Sequence, residues 1–107
     1  MNPVVKNLFA DLPHSSEQEE ILTLHEEANL RVERIVSNGQ ASPAGFWYDQ
    51  EEDEWVILLR GNATLGFEDG TIVELSAGDY LMIERHLKHR VEKASVDALW
   101  MAVHYGA

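Results

Sequence analysis

At 107 residues and 45% hydrophobic content, with no Pro/Gly/Ser-rich linker, the chain has the size and composition of one ordinary domain. Its 19 acidic residues against 8 lysines and arginines give a formal charge of −11, which repels phosphate backbones and anionic lipid, so neither nucleic acid nor a membrane is expected as a partner. Cysteine is absent, which excludes disulfides, thiolate ligands and cysteine nucleophiles and leaves any metal to nitrogen and oxygen donors.

The opening MNPVVKNLF lacks the charged-then-apolar layout of a signal peptide, and no apolar run approaches a membrane span; the expectation is a cytoplasmic protein. Residues 16–27, SEQEEILTLHEE, predict a short α-helix. Ser16 and Glu19 have the spacing of a capping box, acids crowd the positive helix end, and Ile21, Leu24 and Ala28 form a narrow apolar stripe. The domain reading is a strand and this helix over 1–28, then a barrel over 29–107.

From Asn29 onward the pattern turns β-like. LRVERIVS, EWVILLRG, ATLGFED, TIVEL, YLMIER, HRVEK and ALWMAVHY are short runs divided by turn-forming stretches, an all-β rhythm of seven or eight strands that fits a jelly roll. Asp69-Gly70 predicts a tight hairpin with both central residues at positive φ, and Gly61-Asn62 a second sharp bend. WVILL and LWMAV are apolar on both faces, which predicts cover on the outside as well, from a second copy or from the N-terminal helix, with a homodimer expected.

Within β-type alternation Glu54 shares a face with Val56 and Leu58, so its carboxylate points inward and demands a partner. His104 shares a face with Trp100 and Ala102 on the last strand. Tyr48 and Gln50 share a face where residues 48–50 are extended, and Asp49 offers another oxygen. Trp47 lies beside the expected mouth, His86 in the polar turn ERHLKH, and Arg60 and Arg85 are candidates for surface ion pairs or a carboxylate clamp.

Two spacings carry a family resemblance. Glu54 is followed after six residues by Gly61, and GDYLMI is followed after five by His89; this layout resembles the cupins, small jelly-roll barrels. The resemblance implies a divalent metal inside the barrel, held by an H-x-H pair, a glutamate and a third histidine. Glu54 falls on the glutamate and His89 on the third histidine. The H-x-H pair falls on Tyr48 and Gln50, or on Trp47 and Asp49, neither of which offers histidine. The segment FWYDQ with DEWV, together with the closing LWMAVHY, is similar to a subgroup of small cupins that lack the histidine pair.

The expected site therefore has Glu54 and His89 as catalytic residues, Glu54, His89 and His104 as ligands for zinc, iron, manganese or nickel, and Tyr48, Gln50, Asp49 and Trp47 around a small polar molecule. Three functions stay open: a metal-dependent enzyme, a metal-free binding or sensing module, and a metal-independent Glu/His acid–base isomerase.

Overall fold

A computed structural model describes residues 2–13 and 19–106. Eight strands follow one another: β1 (Glu20–Glu27), β2 (Leu30–Ser37), β3 (Asp53–Arg60), β4 (Asn62–Phe67), β5 (Ile72–Ser76), β6 (Tyr80–Ile83), β7 (His89–Ala94) and β8 (Ala98–Tyr105). They pair antiparallel into a five-stranded sheet, β1-β2-β8-β3-β6, and a three-stranded sheet, β5-β4-β7. The inner faces of the two sheets enclose a core of Val56, Leu58, Leu65, Leu75, Ile83 and Trp100, with Ala63, Ala98 and Ala102 filling the narrow places. The result is the jelly-roll sandwich that the strand rhythm predicts.

The period of two sets the interior. Along β3, Glu54, Val56 and Leu58 are buried while Trp55 and Ile57 are only partly so. β8 repeats the pattern with Ala98, Trp100, Ala102 and His104 inward.

The predicted helix is not present. Glu20–Glu27 is an edge strand paired with β2 from Glu20↔Val36 to Glu27↔Leu30, with a bulge between Thr23 and His25. Local helix signals lose here because β2 has an open edge whose backbone groups need partners, and Ile21 and Thr23 suit a pleated strand. Ser16, the proposed cap, lies outside the described residues. Among the described residues there is no helix, and none long and apolar enough to cross a membrane.

The hairpin at Asp69-Gly70 is also looser than expected. Gly70 N–H donates to Phe67 O at 2.9 Å and only Gly70, at φ 93°, is left-handed, so β4 and β5 are joined by a turn followed by one left-handed glycine. Asp69 adds a side-chain bond to the Thr71 N–H at 2.9 Å.

Gly61, between β3 and β4, cannot be replaced without cost. Its φ is 86°, and a Cβ there would strike the Ser95 hydroxyl and lie 3.0 Å from the Ala98 Cα. Gly61→Ala is expected to lose about 2 kcal/mol or more of unfolding free energy. Urea titration reads this as a lower midpoint at unchanged slope; an unchanged midpoint would mean that the corner relaxes freely.

Candidate active site

Strand register builds the site. Glu54 lies opposite His104, and His104 lies opposite Arg31, so β3, β8 and β2 put these three on one inner face. Glu33 lies opposite Ala102 in the same row. His89 begins β7 in the facing sheet, where Tyr48 pairs with it through Tyr48 N–H to His89 O at 2.7 Å and His89 N–H to Tyr48 O at 3.2 Å. The Tyr48 ring stacks on the imidazole with centroids 5.4 Å apart and planes 24° from parallel.

Between the sheets lies a cavity of about 260 Å³. Glu19, Arg31, Glu33, Tyr48, Gln50, Glu54, His89 and His104 supply its polar wall, and Ile21, Ile35, Val56, Leu65, Ile83, Val91 and Trp100 its apolar wall. Of the residues singled out in the sequence, Glu54, His89, His104, Tyr48 and Gln50 are thus brought together.

Trp47 and Asp49 do not line the cavity. Asp49 instead accepts from His86 Nδ1 at 2.8 Å on the exterior. An extended chain sends alternate side chains to opposite faces, so the segment that turns Tyr48 and Gln50 inward turns these two out. Arg85 pairs with Asp53 at 3.2 Å, and Arg60 donates to the Asp97 carbonyl at 2.9 Å; neither reaches the interior.

Glu54 is only 7% exposed. Burial, unfavourable to a carboxylate, pushes its pKa from 4.5 to about 7; a hydrogen bond from Gln50 and the Arg31 charge pull it down, and Glu33 and Glu19 push it further up. His89 is 5% exposed, and burial likewise drives its imidazolium pKa below 6.5, outweighing the Leu87 carbonyl. Its Nδ1 faces that carbonyl at 2.9 Å, which can only accept, so Nδ1 carries the proton and Nε2 is bare. Nε2 lies 3.8 Å from Glu54 Oε1. Ordinarily a glutamate titrates well below a histidine. Here burial raises the one and lowers the other, so near neutrality the Glu54 carboxyl is about half protonated, and its protonated form faces a neutral imidazole without a salt bridge.

His104 belongs to a second network. Its Nε2 meets Glu33 Oε1 at 3.1 Å, Glu33 accepts from Arg31 Nε at 2.9 Å, and Arg31 reaches Glu52 at 3.0 and 3.4 Å. Burial lowers the His104 pKa more than Glu33 raises it. The neutral ring therefore donates from Nε2, and Nδ1 is bare, buried, and without a partner among the described residues. On a third side, Trp100 Nε1 donates to Ser37 Oγ at 3.2 Å and Ser37 donates to Glu19 at 3.0 Å; burial pushes the Glu19 carboxyl up as well.

Glu19, Arg31 and Glu33 escaped the reading of the sequence. The inward row of β2, Arg31, Glu33, Ile35 and Ser37, is mostly polar, so no hydrophobic alternation marks it as interior. Only the cross-strand pairing with His104 could have revealed it.

The sequence pattern of the cupin domain matches residues 33–104. The chain belongs to the cupin family. A crystal structure of a candidate mannose-6-phosphate isomerase from Ralstonia eutropha JMP134 is 42% identical to this cupin, covers 98% of it and 100% of its own chain, and superposes with a TM-score of 0.93. An RmlC-like cupin from Desulfovibrio desulfuricans, at 15% identity, covers 97% of each chain with a TM-score of 0.78. A Rhizobium leguminosarum protein of unknown function, at 18% identity, covers 100% of both with a TM-score of 0.76. The last two speak to fold alone. No curated protein matches.

Cupins often bind a metal, and the donors present in this one test whether it is built for the same purpose. Glu54 and His89 offer two, but His104 turns Nε2 to Glu33. Among the described residues no group of three histidine or carboxylate side chains stands where one ion could be held. As arranged, the described side chains bring no third donor to Glu54 and His89 for a metal.

Proposed function

We propose that this cupin is a proton-transfer enzyme of the isomerase type, acting on a small polar carbonyl compound within the barrel. One observation carries the reading: a buried carboxyl titrating at about 7 faces the bare Nε2 of a neutral histidine across 3.8 Å. A proton donor tuned near the working pH, opposite a bare acceptor nitrogen, is what general acid–base catalysis requires.

The step balances without a further reactant. His89 Nε2 takes the proton from the carbon beside the carbonyl while the Glu54 O–H protonates the carbonyl oxygen, giving an enediol, an imidazolium and a carboxylate. Glu54 then takes the proton of the neighbouring hydroxyl, and His89 returns its proton to the former carbonyl carbon. The apolar wall lowers the local dielectric and strengthens both proton transfers. The isomerase name borne by the Ralstonia relative supports the reaction class.

Exchange of deuterium from D2O into glucose, mannose, glucosamine and glucose 6-phosphate tests this by NMR. Exchange is expected in the wild type and is expected to fall by about 10² or more in Glu54→Gln and His89→Gln. Exchange that persists undiminished in both variants contradicts it.

A second reading, a zinc, iron, manganese or nickel ion on Glu54, His89 and His104, is favoured by the bare Nδ1 of His104. It requires the residues to regroup. Stoichiometric metal in protein purified without a histidine tag, lost in Glu54→Gln and His89→Ala, would carry it; negligible metal after growth in metal-replete medium sinks it.

The homodimer expected from the sequence is proposed on the outer face of the larger sheet, where Tyr80 and Met82 stay exposed beside the half-buried Trp55 and Ile57. Light scattering distinguishes one copy from two.

A further inference from the structure

We infer that the molecule this cavity takes carries a protonated amino group and neither a phosphate nor a carboxylate. The inference rests on reading the cavity as the ligand site and narrows what enters it.

Charge is the first argument. Three carboxyl groups, Glu19, Glu33 and Glu54, line the cavity against one guanidinium, Arg31. That guanidinium is already shared between Glu33 on one side and Glu52 on the other. Burial raises Glu54 to about 7 and raises Glu19 as well, so near neutrality the settled charge around the cavity is Glu33 and Glu52 against Arg31: an anion would meet no uncommitted cation, whereas an ammonium group supplies the charge this trio lacks.

Hydrogen-bonding capacity is the second. The buried Nδ1 of His104, in a residue only 4% exposed, has no partner among the described residues. His89 presents a second bare nitrogen, Nε2, because its Nδ1 is spent on Leu87 O at 2.9 Å. The donors of the wall are largely consumed within it: Gln50 on Glu54, the Trp100 indole on Ser37, Arg31 on its two glutamates. The Tyr48 hydroxyl and the protonated form of Glu54 each add an O–H, and against them stand the two bare imidazole nitrogens and the carboxyl oxygens of Glu19 and Glu33. An ammonium brings three donors and no acceptor, while a hydroxyl brings one donor and lone pairs of its own, and a phosphate brings mainly acceptors. At about 260 Å³ the space suits a molecule of one small ring or less.

The Ralstonia relative's name points to a phosphorylated sugar; the wall of this cavity points away from one.

Three probes of one skeleton and different charge test the inference: glucosamine at a pH where its amine is protonated, glucose, and glucose 6-phosphate. Each is titrated calorimetrically into the full chain after dialysis against EDTA. Glucosamine is expected to bind about tenfold or more tighter than glucose, with glucose 6-phosphate weakest. Glu19→Gln and Glu33→Gln are expected to erase that preference by weakening glucosamine more than glucose, and circular dichroism checks that both variants fold. Failure of glucosamine to bind overturns the inference, as does glucose 6-phosphate binding as tightly as glucosamine, or a preference that survives in both variants. Amine preference without deuterium exchange would sink the isomerase reading and leave this one standing; exchange on glucose 6-phosphate in preference to glucosamine would do the reverse.

Discussion

Glu54→Gln is expected to make the protein more stable than the wild type above neutral pH, by up to about 3 kcal/mol, while removing most of its proton transfer. The Glu54 carboxyl holds its proton to about pH 7 in the fold but only to about 4.5 as an unhindered group. Its contribution to folding is therefore full below pH 4.5, is lost between about 4.5 and 7, where the unfolded chain gives up the proton that the fold still holds, and stays lost above 7. Glutamine keeps the shape and the neutral charge of the protonated acid, so the variant escapes that loss. Urea midpoints across pH 4 to 9 check it: the wild type should weaken between about pH 4.5 and 7 and level off above that, and the variant should show no such fall. Equal slopes across that window would mean that Glu54 is ionised throughout.

His89→Gln is expected to act on the opposite limb. Burial holds the imidazolium below its ordinary 6.5, so the wild type loses stability as the pH falls through the folded value of His89. The variant should lose that acid-side decline, keep the fall between about pH 4.5 and 7 set by Glu54, and give up the ring contacts with Tyr48 and Phe67, at about 1 kcal/mol. In the rate of deuterium exchange, wild type should show a bell whose acid limb belongs to His89 and whose alkaline limb, at about 7, belongs to Glu54. The substitution should reduce exchange by about 10² to 10⁴. A wild-type profile that keeps rising past pH 8 would remove Glu54 from the acid's role.

Half of the site is legible in the sequence because half of it follows the simplest period. Glu54 alternates with Val56 and Leu58, and His104 with Ala102 and Trp100, so a strand reading turns both carboxyl and imidazole inward. His89 emerges only through the cupin-like spacing behind GDYLMI, since one histidine opening a strand carries no signal of its own. Arg31 and Glu33 are invisible to hydrophobic patterning because their row on β2 is polar, although its partners on β8 are buried. The edge strand Glu20–Glu27 was hidden for another reason: its helix signals are local, and what overrides them is a pairing with β2 that no local window contains. Residue-by-residue alternation also separates Tyr48 and Gln50, which enter the cavity, from Trp47 and Asp49, which do not.

Near pH 7 the Glu54 carboxyl stands at its midpoint, its protonated form facing a neutral imidazole. Carbon-13 NMR of the side-chain carboxyl carbons, with Glu54→Gln to assign the resonance, measures it directly and needs no substrate. The account predicts one glutamate titrating at about 7, its resonance also sensing the His89 transition at lower pH. A Glu54 resonance that titrates near 4.5 would contradict it.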